Sequence, residues 1–135
     1  MQNMSPGKSA LGLDANVVAG LCYVGNFVCY LGLILSIVTI VTDKTNKLAR
    51  FHAFQSLFLS ILGVVLGILY SIVGIVGALL DNAVGYPIFT SLLTILILVI
   101  CLALLIGMII AAIKGFQGQI FKLPIVGKFA DQYSG

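Results

Sequence analysis

Charged side chains are scarce in this sequence, and tryptophan is absent. Of its 135 residues only 8% are charged, whereas 61% are hydrophobic. A water-soluble domain carries about 25% charged residues, so this composition excludes an ordinary soluble protein. The few basic residues are scattered along the chain, and we therefore expect no nucleic-acid partner.

Groups of catalytic or metal-binding residues are also missing. The sequence has one histidine and four acidic residues, and no nucleophile–base pair, carboxylate pair or phosphate-binding loop stands out. Cys22, Cys29 and Cys101 lie in apolar stretches without clustered ligand partners, so they are interpreted as packing residues. We expect no enzymatic activity, no metal and no cofactor.

Three long uncharged runs dominate what is present. Two of them have 28 residues and the third has 32. About 20 apolar residues cross roughly 30 Å of hydrocarbon, so each run can cross a bilayer once and none can cross twice. The sequence predicts an all-α polytopic membrane protein that forms one domain, residues 1–135. Its three transmembrane helices are expected near residues 16–41, 53–80 and 88–113.

The two ends of the chain need separate interpretation. A cleaved signal peptide is the alternative for the first run, but the run is much longer than an apolar core of about 7–15 residues. In the tail, residues 116–135, apolar side chains follow Pro124 at helical spacing. This pattern predicts a short amphipathic segment on the membrane surface, with a loose tail as the alternative.

The basic residues predict an orientation. With three spans, the loop 43–52 and the tail share one side, which holds six of the seven lysines and arginines; the other side holds only Lys8. Because cytoplasmic segments are enriched in lysine and arginine, we expect a cytoplasmic C-terminus and an N-terminus outside the cell, in the inner (plasma) membrane.

Each span carries a face of small residues. In lipid, helices associate through close packing at such residues and through interhelical hydrogen bonds. The lipid bilayer and either a second copy or another membrane protein are therefore the expected partners. The glycines expected to pack helices are Gly25, Gly32, Gly63, Gly67, Gly74 and Gly107.

A polar group heads the second span. His52, Gln55 and Ser56 fall on the same helical face as the small residues and are expected to point into the bundle, whereas Arg50 points elsewhere, with a stem long enough to reach lipid headgroups. The group is interpreted as a structural lock at one helix end. A pH-sensitive gate or a partner-docking point is the functional alternative, since histidine titrates near neutrality.

The first span contains polar side chains as well. Asn26 and Tyr30 are candidate intramembrane polar residues. An unpaired amide in hydrocarbon is costly, so Asn26 must find a partner, most simply on a neighbouring helix. A path for substrate or water is the alternative.

Three stretches together resemble one known family. They are "KSALGLDANVVAGLCYVGNF" at 8–27, "NKLARFHAFQS" at 46–56 and "AAIKGFQGQIFKLPIVGKFAD" at 111–131. They resemble the Tic-twenty-like membrane proteins, prokaryotic relatives of a chloroplast inner-envelope import component. The Arg-Phe-His-Ala-x-Gln motif, Arg50 to Gln55, is the most specific element. The resemblance implies a membrane protein without an assigned role, and only distantly a part in protein translocation.

Two functions remain open from the sequence. The small-residue faces favour a structural or interaction subunit that packs with itself or with a larger membrane partner. The resemblance and the polar residues favour the alternative, a transport or protein-translocation component.

Overall fold

The computed structural model describes residues 2–3, 7–28 and 30–135, and this part of the chain is mostly α-helical. Two helices are long and apolar enough to cross a membrane, one of 38 residues and one of 29. Cys29, expected to pack within the first span, lies outside the described residues. In chain order the elements are β1 (Gln2–Asn3), α1 (Ala15–Val24), a 3-10 turn (Gly25–Phe27), α2 (Leu31–Thr42), α3 (Lys47–Val84), α4 (Ile88–Phe116), β2 (Gln119–Ile120) and α5 (Val126–Tyr133).

The prediction of one helix over residues 16–41 is wrong. In its place are α1, with 10 residues, and α2, with 12. At 1.5 Å per residue these helices are roughly 15–18 Å long, too short to cross about 30 Å of hydrocarbon. The chain changes direction before α2 at Tyr30, whose φ of 58° is left-handed. The run of apolar residues could not reveal this break, because it contains neither a charge nor a proline.

The helices α1 and α2 form a tightly packed hairpin. A Cβ atom on Gly32 would lie 2.2 Å from the carbonyl oxygen of Cys22, and one on Gly25 would lie 2.6 Å from the amide nitrogen of Gly32. At the open end of the hairpin, the backbone N–H of Ala10 donates to the carboxylate of Asp43, with an N···O distance of 3.1 Å. The residues before α1 and after α2 therefore lie side by side.

The other element boundaries also differ from those predicted. α3 begins at Lys47, so the second half of the predicted loop 43–52 is helical. α4 runs to Phe116, beyond the predicted end at residue 113. Charged residues mark the end of an apolar run but not the end of a helix, because lysine and arginine are good helix formers.

The N-terminal and C-terminal segments pair with each other. β1 and β2 form a two-stranded antiparallel sheet in which Gln2 lies opposite Ile120 and Asn3 lies opposite Gln119. Segments joined by hydrogen bonds lie on the same side of any membrane. The prediction that the two termini face opposite sides of a membrane is inconsistent with this pairing.

The chain divides into two compact units, Met1–Ser60 with Ile106–Gly135, and Ile61–Leu105. In the first unit small side chains bring backbones close together. A Cβ atom on Gly115 of α4 would lie 3.1 Å from the backbone of Ala19 in α1. The buried residues of this core are Ala15, Val18, Ala19, Cys22, Leu48, Ala49, Phe51, Ala53, Ile120 and Ala130.

The second unit consists of parts of α3 and α4 joined by a turn at Gly85, whose φ is 82°. The carboxylate of Asp81 accepts hydrogen bonds from the backbone N–H groups of Phe89 and Thr90, at 2.7 and 3.0 Å, at the start of α4. Most large apolar side chains of this unit are exposed, which suits a lipid environment.

Candidate functional site

The first unit contains a buried polar cluster, which we define as Tyr23, Asn26, His52, Gln55 and Ser56. His52, Gln55 and Ser56 lie on one face of α3, as their spacing predicts, and all three are fully buried. Tyr23 from α1 and Asn26 from the following turn meet them from the hairpin. The structure thus brings four of the polar residues selected from the sequence into one group.

The partners of His52 determine which ring nitrogen carries its proton. Nε2 lies 3.0 Å from the backbone carbonyl oxygen of Gln119, and Nδ1 lies 2.9 Å from the hydroxyl of Tyr23. A carbonyl oxygen only accepts hydrogen bonds, so Nε2 is protonated and Nδ1 accepts the proton of the Tyr23 hydroxyl. His52 therefore joins α1 to the segment at β2.

Gln55 uses both ends of its amide. Its Nε2 group donates to the Tyr23 hydroxyl at 3.0 Å and to the carbonyl of Phe121 at 3.1 Å, while Oε1 accepts from the backbone N–H of Leu123 at 3.2 Å. Two of these three bonds go to the tail. Gln55 thus binds the backbone of the tail much as an adjacent strand would.

Ser56 connects α3 to the hairpin. Its hydroxyl donates to the Cys22 carbonyl at 2.7 Å and accepts from the Asn26 side-chain amide at 3.0 Å. The Asn26 oxygen is buried and has no hydrogen-bond partner in the described part of the chain. Because Ser56 bonds to Cys22 and His52 bonds to Tyr23 and Gln119, serine and histidine do not pair as nucleophile and base.

Arg50 uses two of its three guanidinium nitrogens to bind backbone carbonyls. Its Nε group donates to the carbonyl of Ser134 at 3.3 Å, and Nη1 donates to the carbonyls of Ile40 at 3.3 Å and Asp43 at 3.1 Å. The guanidinium also lies 5.6 Å from the centre of the Phe54 ring. Arg50 therefore joins the end of α2, the start of α3 and the C-terminal residues.

Two carboxylates near the ends of the helices are held ionised. Burial opposes ionisation of Asp43, but hydrogen bonds from the backbone of Asn46 and Ala10 and from the Ser9 side chain outweigh it and lower the pKa. In the tail, a hydrogen bond from Lys122 lowers the pKa of Asp131, and the two side chains form an ion pair at 2.7 Å.

The remaining residues selected from the sequence are not members of the cluster. Tyr30 is 57% exposed at the hairpin turn. Gly25 and Gly32 pack backbone against backbone, and a Cβ atom on Gly107 would lie 3.0 Å from the Leu123 side chain. By contrast, a Cβ atom would meet no atom within 4 Å at three glycines of α3, namely Gly63, Gly67 and Gly74.

Sequence reasoning did not select Tyr23 or the tail carbonyls as members of the site. In an uninterrupted helix Tyr23 and Tyr30, seven residues apart, would share one side. The break before α2 separates them in the structure. The tail takes part through the backbone of Gln119, Phe121 and Leu123, and a backbone group has no sequence signal. Among the described residues, no three His, Cys, Asp or Glu side chains form a group able to hold a metal ion.

Comparison with known proteins corrects the family assignment. A family model described as the magnetosome magnetite crystal formation protein family matches residues 14–130. This match overturns the resemblance to Tic-twenty-like proteins, whose supporting motifs lie almost entirely within the same region. No solved structure matches the chain.

Three curated membrane proteins are also similar to the chain. A UPF0132 membrane protein of Methanocaldococcus jannaschii is 33% identical over 128 residues, 95% of this chain and 96% of the relative. A second one from that organism is 28% identical, over 92% of this chain and 73% of the relative. A UPF0132 membrane protein of Archaeoglobus fulgidus is 29% identical, over 91% of this chain and 98% of the relative. The chain is thus a helical membrane protein that belongs to the magnetosome magnetite crystal formation protein family.

Proposed function

We propose that this protein is a structural and interaction subunit of the plasma membrane that acts by associating with a second copy of itself, and that it is not an enzyme. It crosses the bilayer twice, through α3 and α4, and its α1–α2 hairpin enters and leaves on the cytoplasmic side. The family description names magnetite crystal formation. For this chain we propose only the part of such a role that its residues support, which is assembly in a membrane.

The hairpin supports two crossings instead of three. Its helices have 10 and 12 residues, and Ala10 at one end of the hairpin binds Asp43 at the other. The side-chain amide of Asn16 in α1 donates to the carbonyl of Phe116 at the end of α4, at 3.1 Å. These contacts keep both ends of the hairpin beside the end of α4.

Charge distribution supports the cytoplasmic assignment of that side. With two crossings, all seven lysines and arginines of the chain fall in the segments that share a side with the hairpin ends. The turn between α3 and α4 contains none of them, and Asp81 lies next to it. Such a one-sided distribution of basic residues is typical of cytoplasmic segments.

Open glycines on α3 carry the proposal of self-association. Gly63, Gly67 and Gly74 lie on one face, and a Cβ atom would meet nothing at any of them. At Gly25 and Gly32, by contrast, glycine lies where two backbones touch. Helices in lipid associate at such faces because small residues let backbones approach closely.

A second copy is the occupant that best fits the α3 face. Two copies related by a twofold axis present the same residues to each other, so a face of glycines is complementary to itself. Each Gly63–Gly67 pair also has the four-residue spacing at which membrane helices pack backbone against backbone.

Cysteine labelling tests the two crossings. In a chain whose native cysteines are replaced by alanine, Lys8→Cys and Lys44→Cys should react with an impermeant maleimide only in inverted membrane vesicles. Asn82→Cys should react only from the outside of intact cells. Labelling of Lys8→Cys and Asn82→Cys from the same side would contradict two crossings and support three.

Photobleaching of single fluorescent molecules in liposomes tests self-association. The parent protein should bleach mainly in two steps, and Gly67→Leu mainly in one, because the added side chain keeps the backbones apart. Val65→Leu is the matched control, since Val65 lies on the opposite face of α3 and is 45% exposed. Single-step bleaching of the parent, or two-step bleaching of Gly67→Leu, would contradict the proposal.

A further inference from the structure

We propose that the basic cavity between the end of α2, the start of α3 and the end of α5 binds the phosphate group of an anionic phospholipid. The cavity has a volume of about 450 Å³ and is lined by Lys44, Lys47 and Arg50 together with Ile40, Thr45, Ser134 and Gly135. Its size falls within the range of about 300–1,000 Å³ that is common for small-ligand sites.

The three cations of the cavity, Lys44, Lys47 and Arg50, form no ion pair with the described residues. The amines of Lys44 and Lys47 also donate no hydrogen bond to a protein acceptor among these residues. Such amines suit a phosphate, which offers several strong acceptor oxygens.

Arg50 is already positioned for an anion. Its Nε and Nη1 groups bind three backbone carbonyls, which fix the plane of the guanidinium, whereas Nη2 has no protein acceptor among the described residues. Binding a phosphate at Nη2 therefore costs little ordering of the Arg50 side chain.

Two aspartates near the cavity have their carboxylates engaged elsewhere. Asp43 follows α2, but its carboxylate accepts backbone hydrogen bonds from Ala10 and Asn46. Asp131 on α5 lies close enough to Lys47 for this amine to lower its pKa, but its carboxylate is paired with Lys122 at 2.7 Å. These two aspartates therefore leave the cations of the cavity available to a ligand.

The surroundings of the cavity favour a lipid over a free phosphate ion. Ile40 lines the cavity, and α2 also exposes Ile37 and Val41, by 47% and 64%. On α5, Phe129 and Tyr133 are 50% and 55% exposed. A basic cavity bordered by exposed apolar side chains matches a headgroup attached to acyl chains, and basic pockets on the cytoplasmic side of membrane helices bind such lipids.

Native mass spectrometry of the full chain in a neutral detergent tests the inference. Dioctanoyl phosphatidylglycerol should bind with one molecule per chain, and the double variant Lys44→Gln with Lys47→Gln should weaken binding about 25-fold, since each cation near a lipid phosphate contributes about 5-fold. The control variant Lys8→Gln with Lys128→Gln removes the same charge from exposed sites outside the cavity. It should bind within about 2-fold of the parent protein.

Several outcomes would overturn the inference. The first is that the parent protein and the double variant bind the lipid equally well. The second is that the control variant loses as much binding as the double variant. The third is that the parent binds dioctanoyl phosphatidylcholine, whose headgroup is neutral overall, as tightly as dioctanoyl phosphatidylglycerol. Inorganic phosphate that displaces the lipid at equal concentration would show an ion site instead of a lipid site. If the double variant does not fold, the single variants Lys44→Gln and Lys47→Gln give the same test, each with a loss of about 5-fold.

Discussion

Replacing Gln55 by methionine tests whether one side chain holds the tail against the helices. Methionine is similar in length and flexible enough to fill the same space, but it forms no comparable hydrogen bonds. The change removes three bonds, from Gln55 to the Tyr23 hydroxyl and the Phe121 carbonyl, and from the Leu123 N–H to Gln55. The buried Leu123 N–H is then left without its acceptor.

The magnitude follows from these three contacts. A buried hydrogen bond contributes about 1 kcal/mol net, and a buried donor left unpaired costs about 1–3 kcal/mol. The apolar methionine side chain recovers part of the loss, because its burial is favourable. We expect Gln55→Met to lower the free energy of unfolding by about 3 kcal/mol, equivalent to a decrease of about 10 °C in the unfolding midpoint of a chain of this size.

Two measurements check this expectation. Thermal unfolding in mild detergent gives the midpoint, and limited trypsin digestion reports on the tail, where cleavage after Lys122 and Lys128 should become faster. Ser71→Ala is the matched control, since the Ser71 hydroxyl binds only the Gly67 carbonyl of its own helix, at 2.9 Å. Its midpoint should change by less than about 2 °C, as for most exposed substitutions.

The two readouts together decide the matter. A Gln55→Met midpoint within about 3 °C of the parent would refute the magnitude calculated above. A lower midpoint with unchanged cleavage after Lys122 and Lys128 would show that Gln55 stabilises the helices without holding the tail.

Three further predictions concern the hairpin and its ends. Gly32→Ala should lower the free energy of unfolding by about 3 kcal/mol, because its Cβ atom would lie 2.2 Å from the Cys22 carbonyl oxygen. Gly107→Ala is the control, since its Cβ atom would meet only the flexible Leu123 side chain. Equal thermal unfolding midpoints of the two variants would contradict the packing. The lowered pKa of Asp43 means that its carboxylate stabilises the fold above its ordinary pKa and ceases to do so as the pH falls through the folded value. The parent midpoint should therefore decrease more steeply below about pH 4 than that of Asp43→Asn, and parallel curves would contradict this. Arg50→Lys should accelerate trypsin cleavage after Lys128, because an ammonium group cannot bind three carbonyls in the planar arrangement of arginine, and an unchanged rate would exclude this tether.

Helical periodicity was sufficient to place His52, Gln55 and Ser56 on one buried face, because residues three and four apart share a side of any helix. It could not identify their partners. The imidazole of His52 binds a backbone carbonyl at Gln119, and Gln55 binds the backbone at Phe121 and Leu123. Every residue has such a backbone group, so only the path of the tail determines which of them is reached.

Glycine shows the same limit. Gly25 and Gly32 are seven residues apart and Gly63 and Gly67 are four apart, and either spacing places two glycines on one side of a helix. The sequence therefore predicts that all four are packing positions. In the structure Gly25 and Gly32 lie where the two backbones of the hairpin touch. Gly63 and Gly67 instead face open space. Spacing indicates which glycines share a face, but it does not indicate whether the same chain covers that face.

The sequence alone determined that this protein is helical and embedded in a membrane, because the energy of placing a residue in water or lipid depends mainly on its own side chain and those of its immediate neighbours. Only the tertiary structure decided that residues 16–41 turn back on themselves and that both ends of the chain meet. The reversal at Tyr30 is stabilised by contacts such as Gly32 with Cys22 and Ala10 with Asp43, which join residues distant in sequence.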